Sequence, residues 1–219
     1  MRKRLFDFVI ALFGIILLSP LFICVAILIK CGAPDGPILY RNQRIGRWGK
    51  PFWFLKFRTM VVNADTIGGP STPANDPRVS RVGAILRRYK LDELPQLFNV
   101  LRGEMSIVGP RPEVPQYAAL LTEKQKAILS VPPGITDLAT LWNSDEGSVL
   151  ASYSDPEQAY LEFIRPRKIA LQLEYVNRHS LRMDLVILLR TLATIVFRST
   201  HRPASSSVEE PRVFGDEFE

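Results

Sequence analysis

Asp92 and Glu93 are the residues of this chain best placed to do chemistry. They stand side by side in Leu91-Asp92-Glu93-Leu94-Pro95-Gln96, after the basic segment Arg87-Arg88-Tyr89-Lys90 and before Gly109-Pro110-Arg111-Pro112-Glu113. Carboxylates among fixed cations suit reaction at a phosphate. The cations neutralise its charge, so that an anionic oxygen can attack the phosphorus or hold a metal. Asp92 taken alone also reads as a plain helix N-cap, a position aspartate often fills. Pro95 fits the first turn of a helix ended by Gly103, which puts both acids at a helix N-terminus, where free N–H groups favour negative charge. His179 and His201 lie in no motif, and Cys24 and Cys31 form no CxxC pair. That argues against a histidine triad, a zinc site and a disulfide framework, and a reducing cytoplasm is the simplest setting. Glu, Asp, Lys and Arg must carry the reaction.

The elements around these residues follow from periodicity and turn chemistry. An apolar run from Phe8 to Ile29 follows Met1-Arg2-Lys3-Arg4 and is interrupted by Ser19-Pro20. It is long enough to span a bilayer and lacks a clear cleavage site. Proline inside a helix removes a hydrogen bond at a cost of ~3 kcal/mol, and a neighbouring serine can satisfy the freed carbonyl. Two forms fit: a kinked spanning helix, or a re-entrant hairpin whose ends return to one side. Lys3 and Arg4 at one end and Lys30, Arg41 and Arg44 beyond the other favour the hairpin by the positive-inside rule. Ile38 to Arg41 and Pro51 to Met60 read as short strands, with a turn at Gln43-Arg44-Ile45-Gly46. Val82, Ile85, Leu86 and Tyr89 recur at helical spacing, and a second helix starts near Asp92. Residues 112–129 read as a helix pair with a capping box at Thr122-Glu123-Lys124-Gln125. Asp155-Pro156 opens another helix that Pro166 should kink or break. Ser180 caps a last helix through about Phe197, too short to span a bilayer, which is expected to face the core or, failing that, to lie at the membrane interface. The polar tail from Thr200 to Glu219 reads as disordered.

Charge is uneven. Residues 1–111 hold 17 Lys and Arg against 7 Asp and Glu, whereas the whole chain carries a net +6. A basic half joined to an apolar anchor fits an anionic membrane surface or phosphorylated ligands and argues against nucleic acid.

With these pieces in order, the chain resembles the bacterial sugar transferases of the monotopic phosphoglycosyl transferase superfamily. The resemblance covers about residues 3–198. It rests on Lys3-Arg4-Leu5-Phe6-Asp7, Ser19-Pro20, Gln43-Arg44-Ile45-Gly46, Lys56-Phe57-Arg58-Thr59-Met60 and Asp76-Pro77-Arg78. It continues through residues 91–100, Gly103 to Pro112, and Pro133-Gly134-Ile135-Thr136. It implies transfer of a sugar 1-phosphate from a uridine-diphosphate sugar to undecaprenyl phosphate, with release of uridine monophosphate and with Mg²⁺. Asp92 corresponds to the nucleophile that forms an aspartyl-phosphosugar intermediate, and Glu93 to its metal-binding or acid–base partner, both carboxylates serving the metal. Arg111, held between Pro110 and Pro112, is expected on phosphate or nucleotide. Lys56, Arg58, Arg87 and Arg88 are candidates for a phosphate clamp, although Arg87 and Arg88 also read as a solvated or headgroup-facing helix surface. Asp184 matches an acidic position in the family's last helix.

The implied fold is α+β and mainly helical. A re-entrant membrane helix (residues 1–30, broken at Ser19-Pro20) precedes a catalytic domain (31–199) with short strands and membrane-surface amphipathic helices. The tail is 200–219. The implied location is the bacterial inner membrane with the domain on the cytoplasmic face. Partners would be membrane lipids, downstream glycosyltransferases and, as an open question, a second copy of the chain. Asp137-Leu138-Ala139 departs from the glycine many members carry after Pro-Gly-Ile-Thr, which leaves the sugar open. The length matches a minimal catalytic core. Two other readings use the same residues: a membrane-bound aspartyl-phosphate hydrolase, and a non-catalytic scaffold for glycan-assembly proteins.

Overall fold

In the computed structural model, residues 2–69 and 71–197 are described. The expected tail at 200–219 lies outside them. The chain is mainly helical, with two small two-stranded sheets, an antiparallel hairpin and a parallel pair.

Helices α1 (Arg2–Leu17) and α2 (Ser19–Gly32) meet at a 62° bend, and no single described helix is long and apolar enough to cross a membrane. The cause of the bend is local. Pro20 has no N–H to give the Ile16 carbonyl, and the Ser19 hydroxyl donates to that carbonyl instead, at 2.8 Å. The N-terminal helix is tied down at its start. Arg4 donates to the carbonyls of Val100 (2.5 Å) and Leu101 (2.8 Å) at the end of a later helix. Asp7, buried, accepts from Ser106 Oγ (2.9 Å) and the Ile107 amide (3.1 Å).

Strands β1 (Leu39–Ile45) and β2 (Pro51–Phe57) pair with Asn42 opposite Phe54 and Tyr40 opposite Lys56. The turn expected at 43–46 is displaced. Gln43 to Ile45 remain in the strand, and the chain reverses over Gly46 to Lys50, with Trp48 and Gly49 at positive φ. Alternating burial on β2 sends Phe52 and Phe54 inward. A short helix, α3 (Ala64–Ile67), and the Asp76–Arg78 loop follow; Arg78 pairs with Asp76 at 2.7 Å and bonds the carbonyls of Ala64 and Gly69.

Helix α4 (Arg81–Arg88) starts at Ser80, whose Oγ accepts from the Gly83 amide. The second helix of this region begins later than expected. Leu91–Glu93 form a single 3₁₀ turn, and α5 spans Gln96–Arg102, closed by Gly103 at φ +82°. Pro95 again explains the break, since it cannot bond the Leu91 carbonyl, which takes the Leu94 amide instead (3.3 Å). The acids therefore sit in a tight turn ahead of a helix and do not cap it.

Strand β3 (Ser106–Val108) pairs in parallel with β4 (Gly134–Thr136). Between them the expected helix pair reduces to one turn, α6 (Pro115–Ala118), and a 3₁₀ segment, Gln125–Ser130. The capping box does form: Gln125 Oε1 accepts from the Thr122 amide and Thr122 Oγ1 from the Gln125 amide. Helices α7 (Leu138–Trp142) and α8 (Glu146–Leu150) precede α9 (Pro156–Ala159), which Asp155 caps. The helix opened at Pro156 runs on without a gap through a π turn, Tyr160–Ile164, into α10 (Arg165–Arg178), and Pro166 follows directly after that local distortion of the helix. Helix α11 (Leu181–Phe197) is capped by Ser180 Oγ. The expectation that α11 faces the core holds for one side only. Met183, Asp184 and Ile187 are buried, but Leu185, Leu189, Leu192 and Val196 are exposed.

The main core joins Ala11, Phe52, Phe54, Val100, Met105, Ile107, Leu138, Tyr175 and Ile187. A second cluster, Val25, Ile29, Phe57 and Leu86, packs α2 against the hairpin end and α4.

Candidate active site

Three elements meet at the acid pair. The 3₁₀ turn supplies Asp92 and Glu93, β2 supplies Lys56, and the segment after β3 supplies Arg111. The turn has its shape because Lys90 adopts a left-handed backbone (φ 56°), reversing the chain as it leaves α4. Lys56 Nζ lies 3.0 Å from Glu93 Oε1 and 3.5 Å from Asp92 Oδ2. Arg111 grips Glu93 with both terminal nitrogens, one at 3.0 Å, a bidentate fork that fixes the carboxylate's plane. Its other anchor is the Ile135 carbonyl at 3.0 Å. Pro110 and Pro112, both buried, limit the backbone on either side of Arg111.

The two acids are thus unlike. Burial pushes the Glu93 carboxyl up, but Arg111, Lys56 and Lys90 outweigh it and hold the group well below the usual carboxylate range. Arg111 is the complement: burial disfavours its charge, and Glu93 more than restores it. Asp92 is 3% exposed, its Oδ1 has no hydrogen-bond partner, and Lys56 touches only Oδ2. One acid is clamped, and the other keeps an oxygen for something outside the protein. A buried acceptor left unsatisfied costs stability, about 1–3 kcal/mol for an ordinary polar group, so it points to a ligand or a reaction.

The remaining sequence candidates divide. Arg87 lies on the site side: its Nε donates to Thr59 Oγ1 (2.9 Å), and burial lowers its pKa while nearby Asp92 and Asp76 pull it back. Arg88 is exposed and lies over the Tyr89 ring. Arg58 does not present its guanidinium to the acids; it donates to the carbonyls of Ala33 and Asp35 and fastens the link between α2 and β1. Asp184 is 2% exposed and bound to Lys3 Nζ (2.8 Å) and the Tyr175 hydroxyl (2.7 Å), where it ties α11 to α1. Ser19 and Pro20 make the bend already described.

Several contributors escaped the sequence reading. Lys90 adds a third cation facing Glu93, and burial lowers its pKa. Phe54 lies under three cations, with Arg44, Lys56 and Arg111 at 5.4, 5.6 and 5.9 Å from the ring centroid. Asp137, noticed only as a departure from the family pattern, holds Arg111 in place. Its Oδ2 accepts from the Arg111 amide (3.1 Å) and Gln172 Nε2 (3.0 Å), and its Oδ1 accepts from the Thr140 amide (2.7 Å). The spacing Asp137-Leu138-Ala139-Thr140 is an N-cap signal that could have revealed it.

The donor set is compatible with Mg²⁺. Among the described residues no group of three or more His, Cys, Asp or Glu gathers, which disfavours a closed protein cage. Mg²⁺ prefers oxygen ligands and is often held by one or two carboxylates plus substrate phosphates. Asp92 Oδ1 is such an oxygen, with Glu93 beside it.

Comparison with known proteins agrees with the residue pattern. A family described as bacterial sugar transferase matches residues 1–198. The exopolysaccharide production protein ExoY of Sinorhizobium fredii is 38% identical over 208 residues, covering 88% of this chain and 84% of that protein. A UDP-glucose:undecaprenyl-phosphate glucose-1-phosphate transferase of Caulobacter vibrioides is 38% identical over 207 residues, 90% of this chain and 70% of that one. A UDP-N-acetylgalactosamine-undecaprenyl-phosphate N-acetylgalactosaminephosphotransferase of Aeromonas hydrophila is 34% identical over 198 residues, 89% of this chain but 43% of that longer protein. With almost the whole described chain matched, and with Asp92, Glu93 and Arg111 converging in one site, the protein belongs to the bacterial sugar transferase family.

Proposed function

We propose that this protein transfers a sugar 1-phosphate from a uridine-diphosphate sugar to undecaprenyl phosphate, the step that opens assembly of a lipid-linked glycan. The observation that carries the reading is the asymmetric acid pair, with Asp92 holding an unpartnered, buried oxygen beside a Glu93 locked by Arg111 and Lys56. In this reading Asp92 attacks the β-phosphorus. The bond from that phosphorus to the oxygen bridging the two phosphates breaks, and uridine monophosphate leaves with its electron pair. An aspartyl-phosphosugar remains. An oxygen of undecaprenyl phosphate then attacks the same phosphorus, and the Asp92 carboxylate departs, giving undecaprenyl-diphosphate sugar. Water in the second step would release free sugar phosphate, so the acceptor must reach the phosphorus first.

The chain's own residues do most of this. Glu93 fixes Arg111 and Lys56, and these cations face the charge that develops on the phosphoryl oxygens. Mg²⁺, held by Asp92 and Glu93, would add charge neutralisation of the diphosphate. The apolar faces of α1 and α2 and the outer side of α11 suit attachment to the inner membrane with the site on its cytoplasmic side, where a lipid acceptor is within reach. The names carried by the Caulobacter and Aeromonas relatives place UDP-glucose and UDP-N-acetylgalactosamine first among donors to try.

The test uses purified, detergent-held protein with each donor, Mg²⁺ and undecaprenyl phosphate. Release of uridine monophosphate with a lipid-linked sugar is expected. Asp92→Asn should lower both by about 10³-fold or more, as when a nucleophile is removed. Release of uridine diphosphate would mean direct glycosyl transfer and would end the Asp92 mechanism. Free sugar phosphate without lipid product would indicate the hydrolase, and full activity in Asp92→Asn the scaffold.

A further inference from the structure

The motif Gln43-Arg44-Ile45-Gly46 carries a charge that the acid pair does not use. Tyr40, Asn42 and Arg44 share one face of β1 by strand alternation, and this face lines the same groove as Asp92, Glu93 and Arg111. Arg44 lies over Phe54 with its Cζ 5.4 Å from the centroid, beside Lys56 and Arg111 on the same ring. The three cations are not equally paired. Lys56 and Arg111 both bind Glu93. Among the described residues Arg44 makes no carboxylate ion pair. Its one hydrogen bond goes from a terminal nitrogen to the Pro112 carbonyl at 3.3 Å, and its Nε is buried without a partner. Arg44 is held there by backbone pairing, since the next residue's amide donates to the Glu113 carbonyl at 2.9 Å.

A guanidinium withdrawn from water and set beside another guanidinium is costly unless an anion compensates it. Burial lowers the Arg44 pKa, and Arg111 lowers it further; the groups that oppose this are Glu113, Tyr40 and Tyr160, none of them within ion-pairing reach. Glu113 lies instead 4.0 Å from Lys168. Most of Arg44's five donors remain free for a fork-like contact with phosphate oxygens.

Position along the groove indicates which phosphate. Lys56 contacts the acids directly, and Arg87 and Lys90 face them. Arg44 pairs with Phe52, four residues along β1 and β2 from the Tyr40–Lys56 pair toward the hairpin turn, and it bonds the Pro112 carbonyl next to Arg111. A β-phosphate at Asp92 would therefore leave the α-phosphate at Arg44. We propose that Arg44, with Arg111, binds the α-phosphate of the nucleotide donor and so holds the uridine monophosphate leaving group. This rests on the nucleotide-sugar reading above.

The test measures binding of uridine monophosphate and uridine diphosphate to the detergent-held full chain by calorimetry, for wild type, Arg44→Gln and Arg44→Lys. KM for the donor and for undecaprenyl phosphate is measured alongside, and thermal unfolding checks the fold. Arg44→Gln should weaken both nucleotides about tenfold or more, the loss expected for a charge-assisted phosphate contact. It should raise the donor KM and leave the acceptor KM within twofold. Arg44→Lys should restore part of the affinity, keeping the charge but not the fork. Unchanged binding of uridine monophosphate in Arg44→Gln would overturn the assignment, and so would a rise confined to the acceptor KM. If the wild type binds neither nucleotide, the donor reading itself fails, a result distinct from a variant that matches a binding-competent wild type. Should Arg44→Gln unfold, Arg44→Lys decides, because wild-type affinity there removes the need for a fork.

Discussion

At the scale of single residues, the site works by giving two adjacent carboxylates opposite surroundings. Glu93 is the one whose titration should be visible in stability. Its native pKa is depressed, so it contributes stability above the unfolded value of about 4.3 and loses it as pH falls through the native value. Thermal unfolding followed from about pH 6 down to about pH 2 should show the wild type losing stability below about pH 4.5. Glu93→Gln should start about 3 kcal/mol less stable, because Arg111 and Lys56 are left without their anion, and its curve should be flatter, converging with wild type in acid. Parallel curves would mean that Glu93 does not balance those cations.

At the scale of elements, close backbone approaches position Arg111. Strands β3 and β4 meet at Gly109 and Gly134, and a Cβ on Gly134 would lie 2.1 Å from the Gly109 nitrogen. The Gly134 amide also donates to the Pro110 carbonyl at 2.9 Å, next to Arg111. Gly134→Ala should therefore displace the segment that carries Arg111. A stability loss of about 1–3 kcal/mol or more is expected from overpacking against backbone, with a larger proportional loss of transfer activity than of folded protein. Circular dichroism paired with the uridine monophosphate release assay checks this; activity per folded molecule equal to wild type would show that β3–β4 spacing does not set the Arg111 position. The hairpin has a comparable device in Asn99 of α5, which accepts from the Leu55 amide (3.1 Å) and donates to the Trp53 carbonyl (2.7 Å). A side chain thus supplies the bonds a third strand would have made.

At the scale of the whole molecule, apolar surface is concentrated on the termini. Phe13, Ile16 and Leu17 on α1, Ile23 and Ile27 on α2, and Leu189, Val196 and Phe197 on α11 are all more than half exposed. The Lys3 bridges to Asp7 (3.2 Å) and Asp184 (2.8 Å) hold α1 and α11 in register with each other. A hairpin anchor keeps both of its ends on one side of the bilayer, and this is directly measurable. With Cys24 and Cys31 replaced by serine, single cysteines in place of Arg2 and of Asp35 should react with a membrane-impermeant thiol reagent from the same side of sealed vesicles. Labelling from opposite sides would establish a spanning helix.

Much of this was legible in the chain itself. Asp92, Glu93 and Arg111 stand out as acids and a base close together in the sequence, and the structure brings Arg111 and Lys56 to the acid pair. The break at Ser19-Pro20 and the caps at Asp155 and Ser180 were legible because they depend only on residues within one turn. What neighbours in sequence could not reveal was pairing across space. Arg58 and Arg44 read alike as basic residues on a strand or next to one, yet Arg58 spends its donors on the carbonyls of Ala33 and Asp35, while Arg44 keeps most of its own. Asp184 reads as a site acid until Lys3, far away in sequence, arrives beside it. The sequence by itself determined which groups can ionise, where the Ser19-Pro20 bend falls and which residues cap several helices, since those depend on covalent structure and local hydrogen bonds. Only the tertiary structure decided which charges are paired and which left open, because pairing depends on residues that folding alone brings together.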